Sequence, residues 1–446
     1  MLDLFEKYEN NSFIISQDET ITFLEFKKAA ENLARQLKEL SLDKAKGISC
    51  TFSCAKDFLE LFFACLLLRV PFAPFNPKTP KKLLSQQLSL YDFVLLETLP
   101  RKKGAFLDAK ETFSWDFKGQ KEALVLFTSG SEGPPKAAVL SYENLKSAAI
   151  FAADFYKLEP KDTWALSLPL FHIAGIMIPL RCLFSGAAIV LDCQKEADFF
   201  SYVPTQLMRA LNNNKRVLSL KKAKAILVGG APLDKPIFEA AIEKGLKISI
   251  TYGSTESSSG LCASYPGDKE ALEKGGVLLA GRQVRVVEQK ILLRGRCLFQ
   301  GYLTPKGLLR PFDKEGFFAS RDLGELKGGR LKILGRVDDL IIVGGENISP
   351  IWLETLLSPS VGDSLVHAIG LKDTEYGEKP ALVIWSHKRP DIHILIDKIK
   401  KDLKGPWQPE GIYWCSLSDH KDMKLTRKHS RVAVAKKAAQ RLFSFS

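Results

Sequence analysis

The chain has 446 residues, with 64 basic and 51 acidic side chains, a net charge of +13 and 46% hydrophobic residues. At roughly 100–200 residues per domain this is a chain of about two to four domains, and its composition excludes disorder as the main state. The longest apolar runs, such as Phe58–Val70, fall short of the ~20 residues of a membrane span, and the acidic start MLDLFEKYENNSF has no signal-peptide core, so the expectation is a cytoplasmic protein without stable membrane insertion.

In chain order, Leu124–Phe127, Ala188–Leu191, Ala225–Val228 and Ile248–Tyr252 read as buried strands, and Tyr142–Tyr156 and Lys235–Lys244 as helices. Strands that alternate with helices predict an α/β fold of layered, mostly parallel sheets. From Val277 onward, Val284–Val287, Ile291–Leu293 and Leu331–Ile333 predict short strands between glycine-rich turns, a small β-rich unit. A small α+β segment follows: a helix from Pro350, strands near Leu365–Ile369 and Ala381–Trp385, a helix over Ile392–Leu403 and a basic C-terminal helix. The boundary is placed at Asp338, which gives an N-terminal domain over 1–337 and a small mobile C-terminal domain over 338–446.

The cysteines, Cys50, Cys54, Cys65, Cys182, Cys193, Cys262, Cys297 and Cys415, form no CxxC pair and predict buried, reduced thiols. The positive charge is densest over Lys421–Arg441, but no nucleic-acid-binding motif accompanies it. A solvated basic surface, or one that attracts polyphosphate, accounts for it without nucleic acid.

Five segments carry chemistry. The first runs from the strand Leu124–Phe127 into Thr128, Ser129, Gly130, Ser131, Glu132, Gly133, Pro134, Pro135 and Lys136, with the helix cap Ser141 beyond. Glycines let a backbone curl its N–H groups around an anion, hydroxyls add donors and a lysine adds a point charge. The spacing is not that of a Walker A loop. The competing reading is an ordinary surface loop. The second segment, Thr251, Tyr252, Gly253, Ser254, Thr255 and Glu256, follows a strand, and ligands of parallel α/β sheets sit at the carboxyl ends of strands. Its hydroxyls suit phosphate and its carboxylate suits Mg²⁺. In the third, Asp322 has the chemistry to accept from a ribose diol. The fourth is Gly335, Arg336, Val337, Asp338 and Asp339, then Gly344, Gly345 and Glu346 up to Pro350, and the fifth places Lys424 between apolar residues near the chain end.

The order and spacing of all five resemble the adenylate-forming superfamily of acyl-CoA synthetases, peptide-synthetase adenylation domains and luciferases, over essentially the whole chain. The resemblance implies an ATP-dependent acid–CoA ligase with ATP, Mg²⁺ and CoA as its small molecules. It assigns Thr128, Ser129, Gly130, Ser131, Gly133 and Lys136 to phosphate, Thr255 to the α-phosphate and Glu256 to the metal. Gly230, Ala231, Tyr252 and Gly253 fall at the adenine, and Asp322 and Arg336 at the ribose. Lys424 stands where the family keeps the lysine that bridges substrate and α-phosphate, Asp338 matches the hinge, and Gly344 and Gly345 belong to the loop that meets the thiol. One departure is Glu132, where the family usually has threonine; a carboxylate there repels a triphosphate unless it turns outward or meets a cation.

For the acid, Leu168–Gly175 resembles the family segment that sets His172 beside the reacting carboxylate, with no Phe-Asp to bind an amino group. Together with Val203–Leu207 and Met423–Arg427 it is most similar to the o-succinylbenzoate–CoA ligases of menaquinone synthesis. Their substrate is an aromatic dicarboxylate, so Arg209 is the expected partner of the second carboxylate, with Ser257 and Ser258 on the other wall. The alternatives are another aryl- or medium-chain acyl-CoA ligase, or an impaired nucleotide-binding homologue. Family members often form homodimers, although no self-association element is legible here.

Overall fold

The computed structural model describes residues 2–100, 113–128, 135–337, 340–343, 346–362, 364–417, 430, 433–434 and 439–445. It forms two compact units, one of Met1–Pro232, Ile242–Arg285 and Leu292–Ala319, the other of Leu233–Ala241, Val286–Ile291 and Ser320–Ser446. The fold is mixed α/β, a large N-terminal body of layered sheets and helices and a small α+β C-terminal one.

Two sheets build the first unit. In one, Ser12–Ile15, Ala188–Val190, Thr163–Ala165, Phe199–Tyr202, Ala225–Val228 and Ile248–Ser254 run parallel in that spatial order. Phe199–Tyr202 and Ala225–Val228 are buried at every position, as expected for strands covered on both faces. Ser259–Ala263 continues this sheet antiparallel to Ile248–Ser254, and Gly276–Leu278 then pairs antiparallel with Ser259–Ala263. In the other sheet Val94–Leu96, Ile48–Cys50, Phe72–Pro74 and Leu124–Thr128 are parallel, followed by antiparallel Lys136–Leu140, Gly301–Thr304 and Gly307–Leu309.

The helices start where local chemistry provides caps. Thr22 and Glu25 form a reciprocal capping box for Phe23–Glu39, and Ser141 with Asn144 does the same for Tyr142–Tyr156. The longest apolar run becomes the helix Ala55–Leu68, buried from Phe58 through Leu67. It is therefore a core helix, and among the described residues no helix is long and apolar enough to cross a membrane.

In the second unit Phe318–Lys327 and Arg330–Arg336 form a hairpin, with Asp322 opposite Arg336. A further sheet is ordered Glu346–Ile348, Ile341–Val343, Gly377–Ser386, Gly411–Ser416 and Gln440–Ser444, with Leu365–Asp373 also paired to Gly377–Ser386. One face packs Val366, Leu382 and Ile384 against Leu353 and Leu395 of two helices; the other gathers Ile369, Val383 and Trp385 with Ala433. Of the expected basic C-terminal helix, Ser430, Ala433 and Val434 are helical and most of the rest lies outside the described residues, while the chain end Gln440–Ser444 is a strand along Gly411–Ser416.

Candidate active site

The phosphate-type loop hangs between two paired strands. Thr128 lies opposite Lys136 in the ladder, and its hydroxyl donates to the Lys136 carbonyl at 3.3 Å. The pairing thus closes the mouth of the loop. The Lys136 ammonium sits 5.3 Å from the centre of the Tyr302 ring, and the Tyr302 hydroxyl donates to Glu256 Oε1 at 2.7 Å. Two sequence motifs 120 residues apart (256 − 136) therefore meet on one tyrosine that the sequence reading did not single out.

The Glu256 segment leaves the strand Ile248–Ser254 and turns back into Ser259–Ala263. Gly253 is needed there, since a Cβ would lie 1.8 Å from the Ser259 carbonyl oxygen. Gly229 is crowded in the same way by the Thr251 side chain at 2.3 Å, and Gly230 takes the left-handed φ of +78°. These positions bring Gly230, Ala231, Tyr252 and Gly253 to the carboxyl ends of neighbouring parallel strands. Thr255 is half-buried in the turn, and its carbonyl accepts from Ser258 N at 3.0 Å. The turn offers hard oxygen ligands, the Glu256 carboxylate above all. Among the described residues no cluster of three metal-ligating side chains exists, and Mg²⁺ carried on phosphate oxygens needs only about one or two carboxylates, so the residues fit that ion.

Ser257 and Ser258, expected on the acid-binding wall, are buried and engaged. Ser257 Oγ accepts from Ser254 N and donates to the Ser259 carbonyl at 2.7 Å, while Ser258 Oγ donates to the Cys297 carbonyl at 2.7 Å. In this arrangement both hydroxyls brace the turn.

His172 is exposed at the N-cap of the helix Ile173–Ser185, its ring 4.6 Å from that of Phe171. Gly175 permits this turn, because a Cβ would meet the Pro169 carbonyl oxygen at 1.9 Å. Gln206 ties the neighbouring loops, accepting from Val203 N and donating to the Ser167 carbonyl, both at 2.9 Å. Arg209 lies on the exposed side of its helix beside exposed Met208, opposite the face buried through Pro204, Leu207 and Ala210.

A different arginine is buried nearby in the chain. Arg181, on the His172 helix, is 5% exposed, donates to Ser259 Oγ at 3.2 Å and stacks 5.1 Å from the Trp164 ring. Its Nε has no hydrogen-bond partner, and among the described residues no carboxylate pairs with it. Burial pushes its pKa down to about 10. A charge in the middle of an apolar helix, IAGIMIPLRCLFS, was the available sequence signal.

In the second unit Arg336 Nε lies 3.3 Å from Asp322 Oδ1 across the hairpin, so the two expected ribose residues stand together. Ser129, Gly130, Ser131, Glu132, Gly133, Asp338, Gly344, Gly345 and Lys424 lie outside the described residues.

Fold and motif order together are those of an adenylate-forming enzyme. The chain belongs to the AMP-binding enzyme family, whose profile matches residues 4–303. It is similar to the 2-succinylbenzoate–CoA ligase of Escherichia coli K12, with 29% identity over 415 residues that cover 90% of this chain and 89% of the relative. The enzyme of that description from Salmonella typhimurium is 33% identical over 361 residues, 77% of each chain. Among solved structures, wild-type E. coli MenE with a bound m-phenylether-linked analogue of OSB-AMS superposes with a TM-score of 0.80 at 27% identity, over 98% of both chains.

Proposed function

We propose that this protein is an ATP-dependent acid–CoA ligase that converts o-succinylbenzoate, ATP and CoA to o-succinylbenzoyl-CoA, AMP and diphosphate, a step of menaquinone synthesis. The observation that carries the ligase chemistry is the meeting of Lys136 and Glu256 on Tyr302 beside the loop closed by Thr128. The names of the relatives supply the acid.

The reaction has two halves. A carboxylate oxygen of the acid attacks the α-phosphorus of ATP, and the bond to the departing diphosphate breaks. A thiolate sulfur of CoA then attacks the acyl carbon, and the acyl–oxygen bond breaks to release AMP. The first half brings two anions together, so it needs positioning and cations aimed at the phosphate. Lys136 and the Thr128–Gly133 loop hold the β- and γ-phosphates, and Thr255 meets the α-phosphate. When bound at Glu256, Mg²⁺ neutralises phosphate charge. Gly230, Ala231, Tyr252 and Gly253 enclose adenine, and Asp322 accepts from the ribose hydroxyls with Arg336 beside it. His172 stands by the reacting carboxylate. Arg181 is the better candidate than Arg209 for the second carboxylate, being a buried cation short of an anion.

Lys424 bridges the acid and the α-phosphate in the first half-reaction. The domain of residues 338–446 then turns about Asp338, removes Lys424 and presents Gly344 and Gly345 to the thiol. Lys424→Ala is expected to slow diphosphate release by roughly 10²–10³-fold; an unchanged rate would remove the assignment. In this reading the enzyme works in the cytoplasm on small molecules, and light scattering decides whether it is a homodimer.

The deciding experiment is AMP release with CoA and Mg·ATP, comparing o-succinylbenzoate with benzoate, 4-phenylbutyrate and octanoate. Turnover with o-succinylbenzoate alone is the expected result. Preference for a monocarboxylate keeps the ligase and changes the acid. No AMP from any acid points to an impaired homologue, with Glu132 as the first residue to replace by threonine.

A further inference from the structure

Lys136 and Glu256 carry opposite charges beside one phosphate site, and two such side chains left alone would pair with each other. Among the described residues no ion pair joins Lys136 to any carboxylate, and each of the two contacts a different part of Tyr302. We propose that Tyr302 is a positioning residue that keeps Glu256 ready for magnesium and Lys136 ready for phosphate. This rests on the nucleotide-binding function proposed above.

The geometry follows from the strands. Tyr302 pairs with Ala138, so Lys136 is its diagonal neighbour, within reach of an aromatic ring and a long side chain. The ammonium lies over the ring, where the π face attracts it without neutralising it. The hydroxyl reaches the other way because Phe299 N donates to the Glu256 carbonyl at 2.8 Å, which ties the carboxylate's backbone three residues before the tyrosine. A phenolic donor on Oε1 selects one carboxylate orientation and leaves Oε2 for a cation.

The ring itself is held. Phe299 meets it edge-on at 4.8 Å and 70°, and Phe318 at 6.4 Å. Gly301 precedes it with a left-handed φ of +137°, and a Cβ there would meet the Leu309 carbonyl oxygen at 2.3 Å. The strand that carries the tyrosine can therefore approach its neighbour closely.

Removing only the hydroxyl keeps the ring under Lys136, so the ammonium stays in place, and lets the Glu256 carboxylate turn out of the orientation that leaves Oε2 for the cation. The loss then falls on the metal-dependent part of nucleotide binding. Tyr302→Phe and Tyr302→Ala are compared with the wild type by calorimetric titration with ATP, with and without Mg²⁺, and by thermal melting. For Tyr302→Phe, affinity for Mg·ATP should fall about tenfold while affinity for metal-free ATP changes less than about twofold, at an unchanged melting temperature. Tyr302→Ala should weaken both, because the ring is lost as well.

Equal effects of Tyr302→Phe with and without Mg²⁺, or none in either, would overturn the inference while leaving the ligase reading in place. A wild-type protein that binds no Mg·ATP would overturn both. A merely structural tyrosine would lower the melting temperature and leave the magnesium dependence alone, which also counts against the proposal.

Discussion

Arg181 keeps a guanidinium in a place water barely reaches, with Nε unpartnered and Ser259 and Trp164 as its neighbours. Arg282, buried at 9% exposure, also has an unpartnered Nε, and burial lowers its pKa as well. Replacing an unpaired buried charge with an apolar side chain is often neutral or stabilising. Arg181→Leu should therefore leave the melting temperature unchanged or raised, while KM for o-succinylbenzoate rises about tenfold or more through loss of a charged hydrogen-bond donor. Affinity for Mg·ATP, which carries no part of the acid, should be spared. Steady-state kinetics with o-succinylbenzoate and calorimetric titration with Mg·ATP check this. A comparable loss in Arg209→Leu would restore the residue that sequence reasoning favoured. The preference for Arg209 came from its place after Val203–Leu207; sequence proximity does not reveal which side of a short helix faces the interior, and Pro204, Leu207 and Ala210 take that side.

At the scale of elements, long periodic segments were legible and short ones were not. The helix Tyr142–Tyr156 and the strand Ala225–Val228 have the bounds their patterns predict, since a cap and an unbroken apolar run each act locally. Thr163–Ala165 and Phe199–Tyr202 went unread, because three or four residues show no period and their strand state comes from parallel neighbours. Gln440–Ser444 looks like the end of a basic helix but is drawn into a strand by the open edge of Gly411–Ser416. The C-terminal sheet also contains a polar pin. Ser430, fully buried, is 2.8 Å from His367 Nδ1 and accepts from Trp385 Nε1 at 2.9 Å, on a face otherwise lined by apolar side chains. A slip of that segment would carry the hydroxyl away from both rings. Ser430→Ala should cost about 1–3 kcal/mol in urea denaturation, the usual cost of removing a buried hydrogen-bonding partner.

For the whole molecule, the two units have separate cores, one built from Phe5, Phe62, Trp164 and their neighbours, the other from Ile341, Leu382 and Ile412. The cysteines report on both. Cys50, Cys65, Cys182, Cys262, Cys297 and Cys415 are buried, Cys193 is half-buried and Cys54 exposed, all as free thiols. Burial pushes Cys50 and Cys262 up to about 12 and raises Cys65, Cys182 and Cys297. Thiols so shifted carry almost no thiolate at neutral pH and do not react until the core opens. With Ellman's reagent Cys54 should react first and Cys193 more slowly, and the remaining six only on unfolding. Early reaction of the six would mean that the cores open without global unfolding. The net charge of +13 suits anionic small molecules, and steeply salt-dependent retention on DNA would be needed to revive a nucleic-acid role.

The sequence by itself determined the class of fold and the ligase family, because glycines, hydroxyls and charges at fixed spacing act through local backbone geometry. Only the tertiary structure decided which side chains meet across the chain. It set Tyr302 between Lys136 and Glu256, buried Arg181 instead of Arg209 and turned Ser257 and Ser258 toward backbone carbonyls. These contacts depend on strand register and on which helix face is covered, and both are settled by packing among segments far apart in sequence.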